Sequence, residues 1–191
     1  MEFLNQRHIS LSSDVLAIID PSNPKIVKVF DIISGKPTNT QIEHSTEILE
    51  MHLNQVEMSS ERKMCFIDSN RDMFLSMVHK PDIIKISNMV DSFQWNDNND
   101  MLTALSDGKL KTWFYPNAVY VDRDLMNKAM SAKDATDVGK LGTITQFNGN
   151  LVTARRLDGS LATLGISPYP KMLYEHIDKA DFEKAIRMCR Y

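Results

Sequence analysis

The chain has 191 residues, 42% of them hydrophobic, enough apolar side chain to build a core in one domain or a domain and a half. A formal net charge of −3 removes the electrostatic reason to expect nucleic acid or an anionic membrane as a partner. No apolar run approaches the roughly 18 residues of a membrane span. The opening Met1-Glu-Phe-Leu-Asn-Gln-Arg-His8 lacks the apolar stretch of a signal peptide, two cysteines make no disulfide framework, and no Asn-x-Ser/Thr acceptor occurs. These features predict a soluble protein of a reducing, intracellular compartment.

From residue 8 to 43 the pattern is that of a first blade, with strands at 9–11, 15–19 and 26–31. The Pro21-Ser-Asn-Pro24 and Ser34-Gly-Lys-Pro37 turns punctuate it, because proline cannot donate to a sheet ladder. Residues 46–87 repeat the plan with strands at 48–53, 64–67, 73–78 and 83–86 and a polar connection over 57–63. The stretch 46–53 also contains good helix formers and can be drawn as a helix; the phase of the repeat favours a strand.

A third unit follows with strands at 92–95, 101–105 and 110–115. Side chains alternate along a strand, so Phe93 and Trp95 share one face, and Leu110, Thr112 and Phe114 another. The tight Ser106-Asp-Gly108 turn suits a hairpin, and 118–121 is the predicted fourth, outer strand. Between 122 and 140 the pattern breaks: Leu125, Met126, Ala129 and Met130 fall at helical spacing behind Asp124, a candidate N-cap. Residues 143–166 hold three more strands. Ser167-Pro-Tyr-Pro170 ends the sheet, with Pro170 expected as the first residue of a helix. A short amphipathic run over 171–177 follows, and then Phe182, Ala185, Ile186 and Cys189 keep the i, i+3, i+4, i+7 rule, with Asp181 at the start and Arg187 and Arg190 at the end. Phe182 and Ile186 are expected to bury against Met172, Leu173, Ile177 and further helices.

The turns recur. Asp20, Asp68, Asp107 and Asp158 are 48, 39 and 51 residues apart, and a period of about 40 to 50 residues built of short strands is that of a WD40 or kelch propeller. The predicted fold is therefore mainly β: a partial WD40-like propeller of about four degenerate blades over residues 1–167, then the start of an α-solenoid over 168–191. A seven-bladed ring at about 40–45 residues per blade needs roughly 300 residues. The ring is thus expected to stay open, and the isolated chain to aggregate or to order only when joined to missing upstream blades.

Motifs of chemistry are sparse. Asp68-Ser-Asn-Arg-Asp72 opens like a calcium loop, but Met73 stands where that loop has glycine and His79 where it has glutamate, so it reads as a polar turn. Asp122-Arg-Asp124 reads as a solvated turn or cap. His8, His44, His52, His79 and His176 are scattered without zinc-ligand spacing; Gly35-Lys36-Pro37 lacks a phosphate-binding glycine loop; no Gly-x-Ser-x-Gly nucleophile elbow occurs. Trp95, Trp113, Phe114, Tyr115 and Tyr120 could form a stacking platform, yet about half are expected between blades and no basic stripe accompanies them. Twelve methionines scatter as core filler. No catalytic residue, metal ligand or cofactor site is predicted. The four aspartates are assigned to structural turns, where Asp favours local backbone hydrogen bonds.

Trp113-Phe-Tyr-Pro-Asn-Ala-Val-Tyr-Val-Asp-Arg-Asp-Leu125, Lys133-Asp-Ala135, Arg155-Arg-Leu-Asp-Gly-Ser-Leu161, Ile166-Ser-Pro-Tyr-Pro170 and Ala185-Ile-Arg-Met-Cys-Arg190 carry a specific similarity. Weaker similarity extends through Lys63-Met-Cys-Phe-Ile-Asp-Ser-Asn-Arg-Asp72, Thr46-Glu-Ile-Leu-Glu50, Ser34-Gly-Lys-Pro37 and Ile9-Ser-Leu-Ser12. In these residues the chain resembles the eighty-kilodalton WD-repeat subunit family of intraflagellar transport complex B. The resemblance implies the later blades of a second propeller and the first helices after it. It also implies a non-enzymatic scaffold contacting other complex B subunits, located at the cilium, the ciliary base and the cytoplasm. The first propeller, which in that family contacts calponin-homology partners, has no counterpart here, and Trp113-Phe114 stands where the Trp-Asp dipeptide is expected. The competing expectation is a ligand-binding or enzymatic propeller of unrelated function, which needs acid, base or metal groups gathered from several blades.

Overall fold

The structure is a computed structural model and describes residues 5–56 and 58–190. Glu57, at the head of the polar connection, lies outside the described residues.

Four antiparallel meanders follow one another along the chain. The first sheet holds β1 (Ile9–Leu11), β2 (Val15–Ile19), β3 (Ile26–Asp31) and β4 (Pro37–Glu43). The second holds β5 (Ile48–Leu53), β6 (Lys63–Asp68), β7 (Met73–Met77) and β8 (Ile84–Ser87). The third holds β9 (Val90–Trp95), β10 (Leu102–Ser106), β11 (Lys109–Trp113) and β12 (Met130–Asp134), and the fourth β13 (Thr143–Asn148), β14 (Leu151–Arg155) and β15 (Leu161–Gly165). The first strand of each sheet touches the first strand of the next, β1 to β5, β5 to β9 and β9 to β13. First strands therefore line the inside of the array, and last strands face outward, as in propeller blades.

Three apolar cores join the four blades. Val15, Ala17, Ile19, Val27, Val29 and Ile42 of blade 1 meet Ile48, Met51, Leu53, Met64 and Phe66 of blade 2. Cys65, Ile67, Met73 and Leu75 on the other face of blade 2 meet Phe93, Trp95, Leu102, Ala104 and Trp113 of blade 3. Leu105 and Leu110 of blade 3 meet Ile144, Phe147, Val152 and Ala154 of blade 4. Central strands covered on both faces are buried throughout: all six residues of β6 and all five of β10. In β2 and β14, at the two ends of the array, burial alternates with the pleat.

The structure corrects the sequence reading at several points. Residues 118–121 form the short helix α1 (Ala118–Val121), not the outer strand of blade 3. That strand is β12, paired with β11 from Lys109↔Asp134 to Trp113↔Met130. Pro116 and Asn117 launch a helical turn, with the Tyr120 N–H bonding the Asn117 carbonyl at 3.0 Å, and four residues are too few for β-branched preference to decide. Helix α2 (Arg123–Lys128) is capped by Asp122, whose Oδ1 accepts the Asp124 N–H at 2.9 Å, so the cap falls two residues earlier than expected. Met130 leaves the expected helix to open β12. The outer strand β4 of blade 1 was not foreseen; its Pro-Thr-Asn-Thr-Gln composition buries only Ile42. Of the stretch 46–53, residues 48–53 form strand β5 and none is helical.

Past the sheets, α3 (Tyr169–Asp178) and α4 (Phe182–Arg190) pack on each other. Pro170 is the second residue of α3, behind Tyr169. Tyr174 joins the core between blades 3 and 4, and its ring stacks on Tyr115 at 5.6 Å. Contrary to expectation, Phe182 and Ile186 stay 58% and 53% exposed, and Ala185 is the buried residue of α4. All four helices of the described residues are short, which is one helical pair and not yet a solenoid.

Phe147, at 0% exposure, fills the blade 3–4 core, whereas Leu157 projects into solvent at 79%. Phe147→Ala is expected to destabilise the fold by about 3–5 kcal/mol and Leu157→Ala by no more than about 0.5 kcal/mol, measured by urea unfolding.

Candidate functional site

Each aspartate singled out in the sequence lies in the turn between the second and third strands of its blade: Asp20 after β2, Asp68 at the end of β6, Asp107 after β10 and Asp158 after β14. Their local chemistry differs. Asp20 Oδ1 accepts the Ser22 backbone N–H at 3.0 Å and its Oγ–H at 2.7 Å, while Oδ2 meets Lys28 Nζ at 2.6 Å. Asp158 Oδ1 accepts the same pair from Ser160 at 2.9 and 2.7 Å. Asp107 instead supplies backbone geometry: its φ of +50° and the +71° of Gly108 make the two-residue turn that twists with the flanking strands. The four side chains serve four separate turns and do not converge on a shared ligand.

Asp68 does more. Oδ1 accepts the backbone N–H groups of Asn70 and Asp72, both at 2.9 Å, and Oδ2 meets Thr46 Oγ1 at 2.7 Å and His44 Nε2 at 3.2 Å. His44 lies against Phe66 and Phe74, with ring centroids 5.1 and 4.4 Å away. The segment linking blade 1 to blade 2 is thereby pinned to the second turn of blade 2. Burial pushes the Asp68 carboxyl pKa up, but hydrogen bonds from Thr46, the Asp72 backbone and His44 outweigh it and leave the pKa lowered.

A second series lies at the opposite ends of the blades, in the turns after the first strands, and the sequence reading missed it. Ser12 follows β1, Asn54 follows β5, Asn96 follows β9 and Asn148 closes β13. The signal was available: Leu11-Ser12, Leu53-Asn54, Trp95-Asn96 and Phe147-Asn148 recur 42, 42 and 52 residues apart. Ser12 Oγ accepts the Val15 N–H at 3.1 Å, Asn54 Oδ1 the Lys63 N–H at 2.8 Å, and Asn96 Oδ1 the Asn98 N–H at 3.0 Å.

From this rim two buried cations reach across blade boundaries. Arg62, 1% exposed, donates through Nε to Asp14 Oδ1 at 2.9 Å and through Nη2 to Ser13 Oγ at 3.0 Å, both on blade 1, and through Nη1 to the Asn54 carbonyl at 2.6 Å. Lys63, 0% exposed, pairs with Asp100 Oδ2 of blade 3 at 2.8 Å, where Asn54 Nδ2 also donates to Oδ1 at 3.1 Å. Asn96 Nδ2 continues to the Gly149 carbonyl of blade 4 at 2.9 Å, and Asn98 Nδ2 to Asn148 Oδ1 at 2.8 Å. A polar seam thus runs through all four blades. Burial raises the Asp14 pKa, and bonds from Ser59, Ser12 and Arg62 bring it below the ordinary carboxylate range.

No reactive constellation accompanies these networks. Among the described residues no group of three or more His, Cys, Asp or Glu side chains could hold a metal ion, and no helix is long and apolar enough to cross a membrane. Burial pushes the Cys65 thiol up; Cys189 is exposed on α4. Trp95, Trp113 and Phe114 are buried between blades, and Trp95 Nε1 donates to the His52 carbonyl at 2.9 Å. The surface offers a cleft of about 410 Å³ lined by Glu61, Met77, Lys80, Asp82, Tyr120 and Val121, and one of about 570 Å³ along α3 and α4 at Tyr169, Met172, Arg187 and Met188.

Residues 1–169 match the family described as the IFT80 second beta-propeller. The chain belongs to this family. Over its whole length it is 40% identical to the intraflagellar transport protein 80 homolog of Rattus norvegicus, and it spans 25% of that relative's length. Solved structures support the fold alone. The WD40 repeats of RRP9 align over 83% of this chain and 45% of theirs, at 16% identity and a TM-score of 0.57. The computationally designed Ika4 protein aligns over 87% of this chain and 94% of its own, at 14% identity and a TM-score of 0.58. The intraflagellar transport propeller family is therefore represented here by four WD40-like blades.

The seam and the aspartate turns each give a prediction. Asp14→Ala leaves buried Arg62 without its carboxylate and is expected to lower unfolding free energy by about 3 kcal/mol, read from chemical denaturation. The Lys28 ammonium and both Ser22 donors hold the Asp20 pKa down to about 2, from an ordinary 3.8. A carboxyl depressed in the folded state stabilises fully above its unfolded pKa and loses that contribution as pH falls through the folded value. Thermal stability is therefore expected to fall as pH drops from about 4 toward 2, and Asp20→Asn to flatten that fall.

Proposed function

We propose that this chain is a non-enzymatic scaffold element of intraflagellar transport complex B, which presents blade rims and a helical pair to other subunits of that complex. The observation that carries the reading is the 40% identity over the whole chain to a protein named for intraflagellar transport. Its expected location is the cilium, the ciliary base and the cytoplasm, and its expected role is protein–protein contact in ciliary assembly and transport. Functionally it divides into blades over residues 1–167 and a helical segment over 168–191, where α3 and α4 would open a longer helical stack.

The chemistry supports a scaffold more than a catalyst. Asp20 and Asp68 have both carboxylate oxygens bonded within their own turn, hairpin or blade junction, and Asp158 spends Oδ1 on Ser160 in its turn, which suits structural turns better than proton transfer to a ligand. What faces outward is apolar and distinctive: Met58 is 77% and Val121 75% exposed, and α1 and α2 form an insertion between β11 and β12 where a short turn would suffice. Scaffold contacts commonly use such isolated apolar anchors in a polar surround.

The test is co-purification with reconstituted complex B subunits. The chain is expected to enter the assembly, and Val121→Glu to weaken its retention by at least about tenfold, about 1.4 kcal/mol, with folding unchanged by circular dichroism. A chain that stays out of every subcomplex while folded would refute the reading.

A further inference from the structure

A cleft of about 410 Å³ opens on the seam rim between blades 2 and 3, inside the array and away from its two ends. Three segments build it. The 3-10 turn Ser59–Glu61 gives Glu61, the end of β7 and the loop to β8 give Met77, Lys80 and Asp82, and α1 gives Tyr120 and Val121. The α1 wall is anchored, because Ala118 and Val119 are buried and Tyr120 packs on the core between blades 2 and 3. Met77 and Tyr120, both half-buried, and exposed Val121 make the lining apolar. Exposed Met58, whose carbonyl accepts the Glu61 N–H at 2.9 Å, extends it along the rim.

Charge is sorted around this lining. The carboxylates of Glu61 and Asp82 are exposed and hold no hydrogen bond or ion pair among the described residues, unlike Asp14 and Asp100 of the seam, which are spent on Arg62 and Lys63. Burial pushes the Tyr120 phenol pKa up and the Asp82 carboxylate adds to it, so this acid acts on the wall of the cleft. Exposed Asp122 directly follows Val121. Against these three carboxylates the lining sets one ammonium, that of Lys80. The other cations of the region, Lys85 and Arg123, line a separate cleft of about 180 Å³ with Ile84, Val119 and Met126. An apolar floor rimmed by unspent acid suits a side chain that is apolar along its stem and cationic at its tip, the form of arginine and lysine. An aliphatic neighbour of such a residue would cover Val121, as anchors do at the centre of interfaces.

We infer that this cleft docks a basic, apolar segment of another protein, in which arginine or lysine stands within one helical turn of leucine, isoleucine or methionine. The aliphatic residue sits on Met77, Tyr120 and Val121, and the cation lies between Glu61 and Asp82. An acidic segment would bring like charge to both carboxylates and is rejected on that ground. The inference rests on the scaffold reading and gives it the chemistry of a partner.

A random peptide library panned on the full chain, held at low density through its C-terminus, tests it. Peptides that pair Arg or Lys with a nearby Leu, Ile or Met are expected to be enriched, and to bind more weakly as salt rises. Combining Glu61→Lys with Asp82→Lys is expected to weaken those peptides at least about tenfold, about 1.4 kcal/mol. Lys80→Glu is expected to strengthen them, an opposite change that misfolding does not mimic. Leu157→Glu, on the opposite rim, is expected to leave binding unchanged. Enrichment of acidic or purely apolar peptides, no enrichment, or selection indifferent to both charge variants would each overturn the inference. In that event entry into the reconstituted assembly still decides the scaffold reading, whereas a chain that selects basic peptides and enters no assembly refutes the scaffold reading alone.

Discussion

A β-sheet in this chain is stable only where a neighbouring sheet covers it, and most other features of the structure answer to that constraint. The blades are too small to hold cores of their own: each apolar cluster is shared between two sheets. Burial at roughly 25 cal/mol per Å² is therefore available only through stacking, and stability is distributed along the array as in other repeat proteins, through intrinsic blade terms and nearest-neighbour interfaces. This explains why β6 and β10 tolerate no exposed residue, and why substitutions at an interface disturb two blades together.

Stacking alone does not define the order or angle of the blades, since apolar faces are interchangeable. The buried seam supplies direction. Arg62 and Lys63 are adjacent in sequence yet reach opposite ways, one to Asp14 on the preceding blade and one to Asp100 on the following blade. Buried ion pairs give little net stability when weighed against a hydrophobic replacement, but they penalise every arrangement that leaves them unpaired. A blade rotated or slipped by one position would strand two cations in a dry interface. The His44, Thr46 and Asp68 contacts act in the same sense on the other rim.

Much of the architecture was legible because turns repeat where packing does. The aspartate turns located the junction of second and third strands in every blade, and the period-two alternation marked the strands beside them. Outer strands were harder to find. β4 and β12 carry Thr, Asn, Gln, Ser, Lys and Asp on a largely solvated edge, so neither propensity nor hydrophobic alternation announces them; the neighbouring strand's hydrogen bonds decide. Residues 118–121 misled for the converse reason, an apolar β-branched stretch whose burial comes from packing a helical turn over blade 2. The seam was invisible for a third reason. Its partners are 48 and 37 residues apart, and nothing local distinguishes a lysine headed for a buried aspartate from one headed for water. The recurring Ser and Asn after each first strand was the only local trace of that rim.

The two cysteines differ enough to be of practical use. Cys65 is sealed between blades 2 and 3, where burial disfavours its thiolate, while Cys189 lies exposed near the end of α4. Because thiol reactivity follows the thiolate and its access, the unmodified chain carries one addressable position. A maleimide dye or spin label placed there would report on the helical pair against an unlabelled propeller, without any engineered substitution, and late modification of the second thiol would mark the moment when the middle blades part.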